Sequence, residues 1–262
     1  MIIRFCRFLS KGIDVSNVNS GIKEFADCIR QSRRLAVLTG AGMSTASGIP
    51  DFRSVDGFYS DQRNANVFEI DAFERDPSFY YAFARRFYPL VIQAQPNPAH
   101  RILADWEQRG CDVEIATQNI DDLHQRAGSK KVYPIHGAME TSSCRRCGHR
   151  CKTRLLETQI MDGKIPRCTC SGVYKPDITF FGEALPEDAW MTSVAAMKQA
   201  ELVLVLGTSL VVYPAASLPL HRNPTAKMVI VNRDETPMDD EADWVFRQDI
   251  SEVLSSVDAV MK

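Results

Sequence analysis

Four cysteines near the middle of the chain are spaced for metal binding. Cys144 and Cys147 are separated by two residues, and Cys168 and Cys170 by one. Two thiolates on one tight turn occupy one edge of a tetrahedron, and two such turns close a structural zinc site with no position left for a substrate. A single zinc here holds structure and does no chemistry. The short spacing of the second pair departs from the commoner two-residue form, and Cys151 and His149 lie within reach of the first pair, so Cys151 stands as an alternative ligand. The same segment carries Arg145, Arg146, Arg150, Lys152 and Arg154, which raises a DNA-binding finger as a rival. That needs a recognition helix beside a Cys-Cys-His-His site, and this ligand set differs. A solvated charged surface accounts for the arginines.

A second set of residues suits a nucleotide. Gly40-Ala41-Gly42-Met43-Ser44 begins where the apolar run Leu35 to Leu38 stops. Small residues after a strand bring backbone N–H groups up to an anion such as a pyrophosphate. The dinucleotide fingerprint is nonetheless incomplete: Thr45 stands where its third glycine belongs, and no strand ending in an acid follows about twenty residues on. Ordinary hydride transfer is disfavoured. Ile49-Pro50-Asp51-Phe52-Arg53 then forms a proline-stiffened loop able to lay a ring and a cation over a cofactor. Gln118, Asn119 and Asp121 follow another apolar run, and amides beside a carboxylate supply donors and acceptors for a carboxamide and ribose hydroxyls. Gly207-Thr208-Ser209 closes a third run with hydroxyls in reach of phosphate or ribose. His124 reads as a structural histidine.

These groups need strands to carry them. Short aliphatic runs at Leu35 to Thr39, Val113 to Thr117, Leu202 to Leu206, Met228 to Asn232 and Trp244 to Phe246 alternate with helical patterns. The helices are expected at Gly21 to Gln31, Pro98 to Gln108, Glu187 to Gln199 and Ile250 to Val260. Such alternation predicts an α/β fold, a Rossmann-like parallel sheet with helices on both faces, whose ligands bind at the carboxyl ends of the strands. That sheet is expected in residues 1–52, 98–137 and 173–262. Two insertions interrupt it: an aromatic-rich helical flap over 53–97, and the zinc-binding module over 138–172.

Composition sets the outer bounds. The 262 residues are 45% hydrophobic and 24% charged with a formal net charge of −2, a globular balance with no global pull toward nucleic acid or membrane. No apolar run approaches the roughly twenty residues of a membrane helix. The start, Met1 to Phe8, is basic and apolar but short, and reads as a ragged extension, with a targeting peptide as the other reading. Cys6, Cys28 and Cys111 are scattered and suggest no disulfide framework, which fits a reducing cytoplasm.

In order along the chain, Gly40 to Arg53, Thr117-Gln118-Asn119-Ile120-Asp121, His136-Gly137, the cysteines and Gly207-Thr208-Ser209 with Asn232-Arg233-Asp234 resemble the sirtuins. These are the NAD-dependent protein lysine deacylases, and the likeness is to the bacterial-type deacetylases among them. The resemblance covers all but the N-terminal start. It implies NAD as co-substrate, held by Gly40, Ala41, Gly42, Ser44, Asp51, Phe52, Arg53, Gln118, Asn119, Ile120, Asp121, Gly207, Thr208, Ser209, Asn232, Arg233, Asp234 and Ile250. It assigns catalysis to His136 and Asn119. In the implied reaction the acetyl oxygen of a modified lysine attacks the anomeric carbon of the nicotinamide ribose and nicotinamide leaves. A ribose hydroxyl deprotonated by His136 then carries the acetyl group away as O-acetyl-ADP-ribose.

Pro176 to Glu183 resembles the family's substrate loop. An acetylated peptide is expected to add as a strand there, touching Ile178, Phe181, Gly182, Glu183 and Val211, with the acyl-lysine in an apolar tunnel. Members that favour succinyl- or malonyl-lysine carry a Tyr followed three residues later by an Arg. Tyr80, Tyr81 and Tyr88 with Arg85 and Arg86 give no such spacing, so neutral acyl groups are expected unless Arg85 turns inward. The rival activities are mono-ADP-ribosyl transfer, which would not require the base, and a non-catalytic NAD- and zinc-binding interaction protein.

Overall fold

Strands that are apolar on both sides need cover on both faces, and the arrangement of this chain follows from that. The computed structural model describes residues 15–52, 57–60 and 66–262. Its helices are α1 (Val15–Gln31), α2 (Ile70–Arg75), α3 (Ser78–Gln93), α4 (Pro98–Gln108), α5 (Leu123–Ala127), α6 (Glu157–Met161), α7 (Glu187–Gln199) and α8 (Ile250–Met261). The strands are β1 (Arg34–Thr39), β2 (Asp112–Thr117), β3 (Val132–Pro134), β4 (Gly137–Cys144), β5 (Arg150–Lys152), β6 (Tyr174–Ile178), β7 (Leu202–Leu206), β8 (Lys227–Val231) and β9 (Trp244–Phe246).

Six strands form one parallel sheet in the order β3-β2-β1-β7-β8-β9. Successive side chains of a strand point to opposite faces, and the core divides accordingly. Leu35, Val37, Leu202 and Leu204 pack with α1, α4 and α8, whereas Ala36, Leu38, Val203 and Val205 pack with α7 and residues 215–221. The winding reverses between β1 and β7, and at such a switch point the connecting loops part to leave a crevice. Caps fix the helix starts: Asn97 and His100 form a capping box on α4 ahead of Pro98, and Asp249 accepts from the Ser251 amide at 2.8 Å on α8. Helix α1 begins at Val15, earlier than the expected Gly21, because Ser16, Asn17 and Asn19 blur the apolar period.

A smaller antiparallel sheet, β5-β4-β6, carries the cysteines. Strand β6, beyond the expected module boundary at residue 172, pairs with β4, Tyr174 opposite Cys144 and Ile178 opposite Gly137. Tyr174 to Ile178 offers no clean alternation, and only its partner strand reveals where it belongs. The flap and this sheet share one core: Phe68, Phe83 and Phe87 from the flap meet Met139, Tyr174 and Phe180. No helix among the described residues is long and apolar enough to cross a membrane.

Besides their shared apolar core, α4 and α8 are tied by one buried polar contact. The Trp106 indole N–H donates to Asp258 Oδ1 at 3.0 Å, and Arg109 and Lys262 also reach this carboxylate. Asp258→Ala leaves a buried donor unpaired, and we expect a loss of about 1–3 kcal/mol in urea unfolding. Asp258→Asn, which keeps an acceptor for Trp106, should lose less; equal stability of Asp258→Ala and the native chain would contradict this role.

Candidate functional site

Two glycine loops meet at the switch point. The Gly42 amide donates to the Gly207 carbonyl at 2.9 Å and the Gly40 amide to the Leu206 carbonyl at 3.0 Å. A Cβ at Gly40 would lie 2.6 Å from Gly207 O, and one at Gly42 would lie 2.8 Å from Gly207 Cα. Glycine is therefore required on both sides, and the floor of the crevice is bare backbone. A floor without side chains lets a bulky anion such as a pyrophosphate approach the backbone closely.

Above that floor a buried polar chain is held in place. Asn119 Nδ2 donates to Ser44 Oγ at 3.1 Å, and Ser44 Oγ donates to Asp121 Oδ2 at 2.8 Å, while the Leu123 amide donates to Asp121 Oδ1 at 3.1 Å. Burial pushes the Asp121 carboxyl above the ordinary carboxylate value, against the Leu123 amide and the Ser44 hydroxyl. Thr117 Oγ1 accepts from the Asn119 amide at 3.0 Å and from Thr39 Oγ1 at 2.8 Å, with His124 Nε2 3.2 Å from the same Thr39 oxygen. His124 is thus built into the wall behind the site, beside His100, whose pKa burial lowers to about 4. Gln118 Nε2 donates to Thr208 Oγ1 at 2.9 Å and ties the β2 and β7 loops together.

His136 sits where the large sheet hands over to the small one. Its Nδ1 lies 3.1 Å from the Gln118 carbonyl oxygen. A carbonyl can only accept, so Nδ1 carries the proton and Nε2 keeps its lone pair. Burial draws the His136 pKa below the ordinary histidine value, and the bond to Gln118 opposes this. The backbone turns at Gly137, φ +72°, where a Cβ would lie 2.1 Å from Asp177 O; no other residue permits this crossing of β4 and β6.

One cavity of about 290 Å³ gathers most of the residues expected at the site. Its lining includes Gly40, Ala41, Gly42, Ser44, Asp51, Phe52, Gln118, Asn119, Ile120, Asp121, His136, Gly207, Thr208, Ser209, Asn232 and Asp234, and also Ile178, Phe181, Gly182 and Glu183. Three expected residues stay outside that lining. Arg233 pairs with Asp249 at 3.0 Å, Ile250 is buried in the core at the start of α8, and Val211 is half-exposed on the surface. Arg53 lies outside the described residues. Phe68, Phe87, Val91 and Phe180 line the cavity without having been expected there. Phe83, Phe87 and Val91 follow one another at i+4 along α3, a spacing that marks one helix face. Phe68 and Phe180 come from loops and meet edge to face with ring centroids 5.5 Å apart, a contact no local pattern announces. Arg85 is exposed, and its guanidinium lies against Gly163, so it does not turn inward.

The cysteines converge as their spacing predicts. The Sγ atoms of Cys144, Cys147, Cys168 and Cys170 all lie within 4.8 Å of one another. Cys144 to Cys170 is 3.5 Å and Cys147 to Cys168 is 3.7 Å; ligands about 2.3 Å from a zinc stand roughly 3.8 Å apart at the corners of a tetrahedron. The four thiols fit one zinc. Cys151, on β5, is not in the cluster. The Cys170 backbone N–H and the Tyr174 hydroxyl hold the Cys168 thiol down at about 6, which favours the ligating thiolate.

The Sir2 family model matches residues 40–214, a stretch that contains both glycine loops, His136 and all four clustered cysteines. The chain belongs to the Sir2 family. The NAD-dependent protein deacetylase of Thermotoga maritima is 45% identical over 238 residues, spanning 90% of this chain and 96% of the relative. NAD-dependent protein deacetylase 1 of Pyrobaculum aerophilum is 43% identical over 236 residues, 89% of this chain and 92% of the relative. Among solved structures, a Sir2 complex with a p53 peptide and NAD+ superposes with a TM-score of 0.83 at 45% identity, covering 90% of this chain and 96% of that one. A Sir2 enzyme bound to a propionylated peptide gives 0.84 at 42%, covering 92% and 99%.

For this Sir2 chain, elemental analysis should find one zinc per chain, retained in Cys151→Ala and lost, with stability, in Cys144→Ala and Cys168→Ala. Full zinc in Cys168→Ala, or none in Cys151→Ala, would contradict the ligand set.

Proposed function

We propose that this Sir2 chain is an NAD-dependent protein lysine deacetylase, transferring the acetyl group of acetyl-lysine to ADP-ribose with release of nicotinamide and O-acetyl-ADP-ribose. The observation that carries the reading is the tautomer of His136: with Nδ1–H committed to the Gln118 carbonyl, Nε2 is free to take a proton inside the cavity. NAD supplies the leaving nicotinamide and the accepting ribose. Gly40 to Ser44 and Gly207 to Ser209 would hold its pyrophosphate, and Asn232 and Asp234 its adenosine ribose. Asn119 and Asp121 orient the nicotinamide ribose, braced by Ser44. His136 Nε2 accepts the ribose hydroxyl proton that frees the nucleophile. Phe52, Phe68 and Phe87 exclude water around the acyl-lysine.

Simple mono-ADP-ribosyl transfer would leave a base poised in this way without a task. The zinc module supports a structural reading over sequence-specific nucleic-acid binding, since Arg145 pairs with Glu74 at 2.5 Å and Arg150 with Asp177 at 2.8 Å. The free thiols of Cys28 and Cys111 are in keeping with a cytoplasmic location. The names of the relatives support acetylated proteins or peptides as partners.

His136→Ala should fold and bind NAD yet lose roughly 10²- to 10⁴-fold in deacetylation of an acetyl-lysine peptide; near-normal turnover would refute the assignment. The base works deprotonated, and its pKa lies below the ordinary histidine value of 6.5. The acid limb of kcat/KM should therefore fall below that value, with a flat profile above neutrality; a limb centred above it would count against His136.

Acyl preference follows from the lining, in which no Lys or Arg stands among the described residues. Burying an unpaired carboxylate there costs several kcal/mol. On one peptide, kcat/KM for acetyl-lysine should far exceed that for succinyl-lysine, and equal or better succinyl turnover would overturn the argument.

A further inference from the structure

Lysine is seldom buried unless paired, yet Lys175 is 5% exposed and stands outside the reacting groups. Its ammonium donates to the Ile178 carbonyl at 2.7 Å and to the Pro176 carbonyl at 3.3 Å, and pairs with Glu183 Oε2 at 2.7 Å. It also lies 4.1 Å from the centroid of the Phe180 ring. Glu183 Oε2 in turn accepts the Phe180 amide at 2.9 Å, and the Glu183 amide donates to the Phe180 carbonyl at 3.0 Å. One cation and one carboxylate thus bind both ends of the segment from Ile178 to Glu183.

The outer side of that segment is fastened separately. The Phe181 amide donates to the Phe68 carbonyl at 2.7 Å, the Ile70 amide to the Phe181 carbonyl at 3.1 Å, and the Thr179 amide to the His136 carbonyl at 2.8 Å. The flap and the catalytic turn therefore hold the middle of the loop, and the Lys175–Glu183 pair sets its curvature from within. Glu183, expected from the sequence to touch substrate, has Oε2 committed to Lys175 and the Phe180 amide, while its Oε1 lies 3.9 Å from the Arg145 guanidinium.

We propose that Lys175 and Glu183 form an internal clamp that shapes the peptide-receiving loop, so that Lys175 is a positioning residue for the acyl-lysine substrate and not for NAD. The ammonium is suited to this because it donates to two carbonyls and a carboxylate at once, which no neutral side chain can do. The inference rests on the deacetylase reading for the identity of the substrate.

The test compares the native chain with Lys175→Met and Lys175→Arg in steady-state kinetics on an acetyl-lysine peptide, together with amide exchange across residues 178–183. In Lys175→Met the peptide KM should rise roughly tenfold or more, the scale of one lost charge-assisted hydrogen bond. The KM for NAD should stay within about twofold, the Phe180 amide should lose protection, and Lys175→Arg should restore most of both. Unchanged peptide KM in a folded Lys175→Met, an equal rise in both KM values, or no recovery in Lys175→Arg would overturn the clamp. If Lys175→Met does not fold, Glu183→Gln must show the same split between peptide and NAD, and its absence overturns the proposal. A native chain with no deacetylation would refute the deacetylase reading, and the exchange comparison would still decide whether the clamp exists.

Discussion

The contact of Gly42 with Gly207, an amide on a carbonyl at 2.9 Å, sets the geometry on which the rest of the structure depends. It joins the loops after β1 and β7, the two strands between which the winding of the sheet reverses. Because neither side carries a Cβ, the loops approach closely and leave backbone at the floor of the crevice. Every other element of the site is placed relative to that floor. Ser44, five residues after the end of β1, reaches Asn119 and Asp121 at the end of β2, and Gln118 reaches back to Thr208.

Polar groups this deeply buried are costly unless each is paired. Ser44 is 1% exposed, and Asn119 and Asp121 are each 7% exposed, so their hydrogen bonds both offset desolvation and fix the side chains before any ligand arrives. Preorganisation of this kind is what a site needs to orient a ribose without rearrangement. The second half of the crevice comes from a different core. The flap and the small sheet bury Phe68, Phe83 and Phe87 against Phe180 and Tyr174, apart from the cores of the large sheet. The cysteine cluster anchors the far end of β4, whose near end carries the turn at His136 and Gly137. The four-thiol zinc site and the histidine proposed as the base are thus linked through one strand.

Much of this was legible in the sequence, for physical reasons that also explain the rest. The central strands announce themselves because burial on both faces demands unbroken aliphatic runs, and the glycine loops because backbone contact excludes side chains. The spacing of Cys144, Cys147 and Cys168 fixes tight turns, but the choice of Cys170 over Cys151 depends on the turn at Ser171, φ +65°, where the Cys168 amide closes on the Gly172 carbonyl at 2.8 Å. β6 was hidden because Tyr-Lys-Pro-Asp-Ile has no strand period of its own and is made a strand by β4. Phe68 and Phe180 join the cavity through loops distant in sequence. Lys175 reads as a surface residue by type, and only the carbonyls converging on it make its burial tolerable. Ile250, also expected at the ligand, packs in the core as the first residue of α8, just after the capping Asp249, and does not line the cavity.

The central claim is that the cavity couples cleavage of NAD to removal of an acetyl group from lysine. The most direct measurement follows nicotinamide and deacetylated lysine together, with the native chain, NAD and a peptide offered with and without its acetyl group. The account predicts equimolar nicotinamide and free lysine, appearing only when NAD and the acetylated peptide are both present. Nicotinamide release with the unacetylated peptide, accompanied by ADP-ribose fixed to protein, would contradict it, as would the absence of both products.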